Sequence, residues 1–157
     1  MARESVVERS VEIAADPEEV FRFHLDARNA ARIAPDGARI LAVEGEFPVR
    51  EGALVTMRMR QGPVPLVLTW RVRIAEVVPG RRIVDVDERS PFAAWRHEHR
   101  FDPLPDGGTR MTDRVAYRLP AGPLGGIADR LLVRRTLERA LAERHDRTRS
   151  VLEGGGR

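Results

Sequence analysis

The stretch 95–101 reads Trp-Arg-His-Glu-His-Arg-Phe, and it decides how this chain folds. Successive side chains of a strand point to opposite sides. In an extended strand the aromatic and imidazole side chains therefore share one face: Trp95, His97, His99 and Phe101. The charged side chains share the other face and mark it as the solvent side: Arg96, Glu98 and Arg100. We predict a half-buried strand of an antiparallel sheet whose histidines point into the protein.

The segment that follows predicts the partner of this strand in a hairpin. A loop at 103–108 separates it from a second strand at 109–119. The residues that alternate with outward arginines on the second strand form its inward set: Asp113, Val115 and Tyr117. If the hairpin has no bulge, Asp113 lies opposite His97 or His99, depending on the register. The sequence thus predicts an inward carboxylate beside imidazole.

The rest of the chain predicts two short helices, further strands and one long helix. The first helix begins at Asp16-Pro17, because aspartate is a good N-cap and proline suits the first helical turn. The second helix stops before Pro35, which disfavours helix at the residue before it. The predicted elements are a strand at 3–13, helices at 17–25 and 26–33, strands at 38–43, 53–59, 66–78 and 83–87, the hairpin described above, and a helix with an apolar stripe at about 123–152.

This order predicts one α+β domain over residues 1–152, followed by a disordered tail at 153–157. An antiparallel sheet needs a cover for its apolar face, and the terminal helix is the only element long enough to supply it. A sheet of seven short strands is expected to curl. We therefore expect a seven-stranded curved antiparallel sheet wrapped around the long helix, with an internal cavity that the two short helices cap.

The composition limits the class of protein. A chain of 157 residues with 42% hydrophobic and 32% charged residues fits one globular domain. No stretch approaches the ~20 apolar residues of a membrane span. The absence of cysteine excludes disulfides, zinc–thiolate sites, iron–sulfur clusters and a thiol nucleophile. The N-terminus lacks the apolar core of a secretory signal, so we expect a cytoplasmic protein.

The charge pattern argues against nucleic-acid binding. All 27 basic residues are arginine, and they are interleaved with acids along the strands. A nucleic-acid binder typically shows a one-sided basic stripe with exposed aromatic residues. No pattern in the chain predicts its oligomeric state.

Several runs resemble a known superfamily. They are 23–29 with 33–35, 91–92 with 95–101, 108–117, and 122–125 at the entry of the long helix. Together with the order of elements, they resemble the START-like, or Bet v 1-like, helix-grip superfamily (SRPBCC), in its bacterial polyketide cyclase/dehydrase-like and ligand-binding branch. The resemblance implies a helix-grip fold. It implies no single activity, because the superfamily includes lipid carriers, hormone-binding proteins and cyclases.

We expect the cavity to bind a small hydrophobic or aromatic molecule, lipid- or polyketide-like, without a cofactor. The expected ligand contacts are Met57, Met59, Leu68, Trp70, Asp85, Trp95, Phe101, Val115, Tyr117, Leu124 and Ile127. A cyclase- or dehydratase-type enzyme acting on such a ligand is the first alternative. A protein-interaction module with a filled core is the second, and it would show an exposed apolar patch instead.

The candidate catalytic residues are His97, His99 and Asp113, with one histidine as general base or acid and the aspartate orienting it. The interpretation we favour is a satisfied polar pair that also bonds ligand or water. His-x-His with a carboxylate could also supply three metal ligands, but no further inward carboxylate is secure, so no metal site is predicted. His24 is expected at the surface or the cavity mouth.

The register of the 66–87 hairpin stays open. A two-residue turn at Pro79-Gly80 would pair Ile74 with Asp85 and turn Asp85 inward, and Asp87 with it. The alternative directs the neighbouring valines, Val84 and Val86, inward.

Overall fold

The computed structural model describes residues 3–62, 66–120 and 132–154, and its elements follow the predicted order. They are β1 (Ser5–Ile13), α1 (Pro17–Leu25), a 3₁₀ helix (Ala27–Ala31), β2 (Ala38–Glu44), β3 (Leu54–Gln61), β4 (Val67–Val78), β5 (Arg82–Arg89), β6 (Ala94–Pro103), β7 (Thr109–Arg118) and α2 (Arg134–Gly154). The predicted first part of the long helix, with Leu124 and Ile127, lies outside the described residues.

The seven strands form one antiparallel sheet in the order β1-β7-β6-β5-β4-β3-β2. Strands β2 to β7 form a meander, and β1 joins its far edge by pairing with β7. Helix α2 contacts β1. The structure confirms the predicted helix-grip α+β fold, in which a curved sheet wraps around a long C-terminal helix. Within the described ranges, no helix is long and apolar enough to cross a membrane.

Two apolar clusters stabilise this arrangement. The larger one joins α1 to the sheet and includes Phe21, Ile74, Phe101 and Met111. The smaller one joins the sheet to α2 through Val7, Val115, Tyr117 and Leu141. Burying each large apolar side chain contributes about 1.5–3 kcal/mol, so the clusters anchor both helices to the concave face of the sheet.

The ends of the helices follow local chemistry. Asp16 caps α1, because its Oδ1 accepts a hydrogen bond of 2.8 Å from the amide of Glu18. Helix α2 continues to Gly154, so residues 153 and 154 are helical. Their position is fixed in part by Glu153, whose carboxylate accepts a hydrogen bond from the amide of Ala14 over 2.9 Å.

The β4–β5 hairpin settles the open register. Val78 pairs with Arg82, so the turn has one residue more than the two that Pro79-Gly80 predicts. A bulge between Ile74 and Glu76 adds one residue to β4. This extra residue compensates for the longer turn and restores the pairing that a two-residue turn predicts. Ile74 consequently pairs with Asp85, which turns the carboxylate of Asp85 toward the concave face of the sheet.

Candidate functional site

A cavity of about 250 Å³ lies between the concave face of the sheet, the first two helices and α2. Most of its wall is apolar and includes Ile33, Ile40, Val55, Ile74, Leu137 and Ala140. The polar side chains of the wall include His24, Asp85, His97, His99 and Arg144. The cavity therefore combines a large apolar wall with convergent ionisable groups, as small-molecule sites commonly do.

The structure places several sequence-predicted residues in this wall: Met57, Met59, Trp70, Asp85, Trp95, His97 and His99. The two tryptophan rings contact each other edge-to-face, with centroids 4.8 Å apart and an interplanar angle of 74°. Such pairs are favoured by the aromatic quadrupole. The two rings form an aromatic corner of the wall beside the polar side chains.

Four further predicted contacts are not part of this wall: Leu68, Phe101, Val115 and Tyr117. Phe101 is fully buried and packs against Phe21, with ring centroids 5.8 Å apart. Val115 and Tyr117 pack in the cluster with α2. Leu68 is half-buried at the start of β4. Alternation identifies the inward face of a strand, but it does not say where along the strand the cavity ends.

Asp113 lies behind the wall and contacts three histidines. It sits directly opposite His99 in the β6–β7 ladder. Its Oδ1 accepts a hydrogen bond of 3.0 Å from His97 Nε2 and lies 2.5 Å from His99 Nδ1. Its Oδ2 is hydrogen-bonded to His145 Nε2 over 2.5 Å. A carboxylate that is only 2% exposed is therefore surrounded by three imidazole rings.

These contacts decide the charge of Asp113. Burial by itself raises the pKa of the carboxyl group, but His99, His145 and His97 together lower the pKa well below its usual value. Asp113 is thus ionised, so the Nε2 atoms of His97 and His145 donate to it. His99 Nδ1 contacts its Oδ1 outside hydrogen-bond geometry.

His145 was missed by the sequence analysis. It is one of three buried residues of α2, together with Leu141 and Thr148. The spacing of these residues, i, i+4 and i+7, places them on one helical face. The sequence contains one signal for His145, because it occupies a position at which the apolar stripe of the helix requires a buried residue.

His24 also lies deeper than expected. It lines the cavity, and its ring centroid is 5.4 Å from that of His99. Its Nδ1 is 2.8 Å from the carbonyl oxygen of Val20, to which it donates. Burial, followed by repulsion from His99, lowers the pKa of His24 to about 3, so the ring is neutral near pH 7. All 4 histidines of the chain therefore belong to this region.

Asp85 extends the polar wall from β5. Its Oδ1 accepts a hydrogen bond of 3.3 Å from Trp95 Nε1. Its Oδ2 lies 3.9 Å from His97 Nδ1 and 3.8 Å from His99 Nε2. Burial is the main reason that the pKa of Asp85 is raised to about 6. Among the described residues, Asp85, His97 and His99 form a group whose donor atoms could hold a metal ion.

Comparisons with known proteins agree with this fold. Residues 5–153 match the family model described as polyketide cyclase / dehydrase and lipid transport. A search of curated proteins finds no match.

Solved structures also resemble the chain. A protein from Chromobacterium violaceum is 20% identical with a TM-score of 0.74, over 94% of this chain and 96% of that one. The ZhuI aromatase/cyclase from Streptomyces sp. R1128 is 19% identical with a TM-score of 0.70, over 99% and 100%.

The di-domain ARO/CYC StfQ from the steffimycin biosynthetic pathway has a TM-score of 0.78 and 14% identity, over 97% of this chain and 51% of StfQ. At these identities the structural likeness shows the fold alone, whereas the family model covers nearly the whole chain. This chain belongs to the polyketide cyclase/dehydrase and lipid transport family.

Proposed function

We propose that this protein binds a small hydrophobic or aromatic molecule, lipid- or polyketide-like, in the cavity between the sheet and α2. The observation that carries the proposal is a cavity of about 250 Å³ whose apolar wall is interrupted on one side by ionisable groups. The family description, which includes lipid transport, supports the same class of ligand. A cavity in the interior also argues against the filled core of an interaction module.

The wall favours one orientation of the ligand. An apolar or aromatic body fits against Trp70, Trp95 and Met57, because aromatic rings and flexible methionines adapt to such surfaces. A polar end fits toward Asp85 and Arg144, where it gains hydrogen bonds that a purely apolar ligand would leave unmade. The preferred ligand therefore has one apolar body and one oxygen-bearing end.

Native mass spectrometry tests this proposal. The purified protein is analysed for retained compounds and then incubated with a panel of aromatic and acyl compounds that have one polar end. We expect one compound per chain. Ala140→Phe, which places a ring in the cavity, should abolish the complex, while Leu54→Phe on an exposed position of β3 should retain it. Equal binding by both variants would contradict the proposal.

A cyclase- or dehydratase-type activity on the same ligand is the second candidate. The observation that favours it is geometric, because one ring nitrogen of His97 and one of His99 contact Asp113, and the other ring nitrogens lie 3.9 and 3.8 Å from Asp85 Oδ2 in the cavity wall. Two similar structures, described as an aromatase/cyclase and an ARO/CYC protein, are consistent with such chemistry. His97→Gln and His99→Gln should then retain the bound compound but stop its conversion. Unchanged conversion in both variants would exclude this role.

A further inference from the structure

Three side chains of the cavity wall have donor atoms close enough to share one ion. Asp85, His97 and His99 each offer one ligand atom, and these atoms lie within 4.8 Å of one another. They come from the neighbouring strands β5 and β6, where Asp85 pairs directly with His97. Adjacent strands of a sheet are rigid supports, so the three groups are held in place before any ion arrives.

Asp113 determines which nitrogen of each histidine is free. An ionised carboxylate only accepts hydrogen bonds, so the hydrogen of His97 lies on Nε2, which bonds Asp113. His99 Nδ1 lies 2.5 Å from the same oxygen outside hydrogen-bond geometry, and because a lone pair there would be repelled by the carboxylate, we assign the hydrogen of His99 to Nδ1. The lone pairs are then on His97 Nδ1 and His99 Nε2. These are the two nitrogens that face Asp85 Oδ2, at 3.9 and 3.8 Å.

This arrangement has the composition of a metal site and its supporting shell. Histidines that ligate a metal usually donate their other N–H to a carboxylate, which fixes the ring and raises its basicity. Bonds of about 2.0–2.2 Å from nitrogen and oxygen to zinc place two tetrahedral ligand atoms roughly 3.4 Å apart. The observed separations from Asp85 Oδ2 need to shorten by only about half an ångström to reach that value.

We propose that His97 Nδ1, His99 Nε2 and an Asp85 oxygen bind one divalent transition-metal ion, with Asp113 as the carboxylate that orients both histidines. Two imidazoles and one carboxylate suit Zn²⁺, Co²⁺, Ni²⁺ or Fe²⁺, whereas Mg²⁺ and Ca²⁺ prefer oxygen ligands. Such an ion would keep at least one coordination position open toward the cavity, where an oxygen of the bound molecule could reach it. The site shares Asp85 with the proposed polar end of the cavity, but its formation does not require the apolar ligand.

A bound ion would also restrict the chemistry of the cavity. It would occupy the ring nitrogens that proton transfer by His97 and His99 requires. Stoichiometric metal binding would therefore exclude these two residues as general acids or bases in the loaded protein. It would leave the apolar wall available to the ligand.

Calorimetric titration of the tag-free, chelator-treated protein with Zn²⁺ or Co²⁺ tests this proposal. The background is low, because the chain has no cysteine and its 4 histidines all belong to this region. We expect one ion per chain and visible Co²⁺ absorption bands. Asp85→Asn, His97→Gln and His99→Gln should each weaken binding at least tenfold, and Asp113→Asn about 10–100-fold.

Two variants serve as controls. The first is Glu98→Gln, since Glu98 lies between the histidines on the outward face of β6, and the second is Asp102→Asn, at an exposed position of the same strand. Both should bind within about twofold of the wild-type affinity. In the Zn²⁺-loaded wild-type protein, ¹⁵N resonances should identify His97 Nδ1 and His99 Nε2 as the ligated atoms.

Absence of stoichiometric binding by the wild-type protein would overturn the proposal. Binding that survives both histidine substitutions, or ligation through the opposite ring nitrogens, would do so too. Titration of the apolar ligand in the presence of a chelator separates this outcome from failure of the proposed ligand-binding function.

Discussion

His145 of α2 and Asp113 of β7 share a buried hydrogen bond, with 2.5 Å between Nε2 and Oδ2. The two residues are 1% and 2% exposed. The bond joins the long helix to the sheet at the level of the cavity, and the same carboxylate contacts His97 and His99. The helix is therefore held by a charged hydrogen bond as well as by apolar packing, so Asp113 couples stability to the geometry of the site.

Asp113→Asn should strongly destabilise the fold. The amide replaces an ionised acceptor by a group that is half donor, so buried imidazole N–H groups lose their partner. We expect the free energy of unfolding to fall by about 3–5 kcal/mol, measured by urea denaturation. Asp102→Asn, at an exposed position of β6, should change it by less than about 0.5 kcal/mol. Equal losses in the free energy of unfolding in the two variants would contradict the claim that buried Asp113 stabilises the fold.

A double-mutant cycle isolates the bond between the helix and the sheet. His145→Gln and Asp113→Asn should each lower stability, and the double variant should lose less than the sum of the two single losses. We expect a coupling energy of roughly 1–3 kcal/mol from urea unfolding. Additive effects would show that the two side chains do not stabilise each other.

Acid stability should depend on His24. Its pKa is lowered to about 3, mainly by burial and next by repulsion from His99. Asp113 raises the pKa, and Arg144 lowers it. Because the unfolded value is 6.5, the unfolded state binds more protons at this residue as the pH falls from 6.5 toward 3. The stability that neutral His24 provides is therefore complete above pH 6.5 and is lost progressively below it.

His24→Gln removes this dependence and keeps a side chain that can reach the carbonyl of Val20. Between pH 7 and pH 4.5, the stability of the variant relative to wild type should rise by about 2–3 kcal/mol, measured by urea unfolding with a chelator present. A constant difference across this range would show that His24 titrates normally.

One segment of the cavity wall is pinned to α2 through Asp36. Its amide donates a hydrogen bond of 2.7 Å to Glu143 Oε2, and Arg147 contacts both Asp36 and the carbonyl of Ala34. Glu143→Ala should therefore increase amide hydrogen exchange at Asp36 roughly tenfold, measured by NMR, as expected when a charge-assisted hydrogen bond is lost.

Glu138→Ala is the matched control for this experiment. Glu138 and Glu143 both form an i,i+4 ion pair with an arginine of α2, but only Glu143 also reaches Asp36. Exchange at Asp36 should be unchanged in Glu138→Ala. An equal increase in both variants would mean that fraying of α2, and not the hydrogen bond, controls the segment.

Period-two alternation predicts the inward residues of a strand well when one face carries charged side chains and the other does not. Charged residues on the outer face of β6 were sufficient to turn His97 and His99 inward, and the ladder then brought Asp113 to His99. The position of Asp85 depended on a turn length and a bulge that compensate each other, which no local pattern reveals.

Long-range packing explains what the sequence analysis missed. His145 reaches Asp113 from an element 32 residues away, and its partner is visible only after the helix is docked. Phe101 and Tyr117 point inward as alternation requires, yet helices cover them. Alternation and helical periodicity identify buried faces, whereas the extent of a cavity depends on how those faces meet.

Tryptophan fluorescence tests ligand binding most directly, because both tryptophans of the chain, Trp70 and Trp95, line the cavity. The chelator-treated protein is titrated with a neutral naphthalene derivative that bears one hydroxyl group. We predict saturable quenching at one molecule per chain in wild type and in Leu54→Phe, and none in Ala140→Phe. Wild-type fluorescence that does not change, or equal quenching in Ala140→Phe, would contradict the proposed binding site.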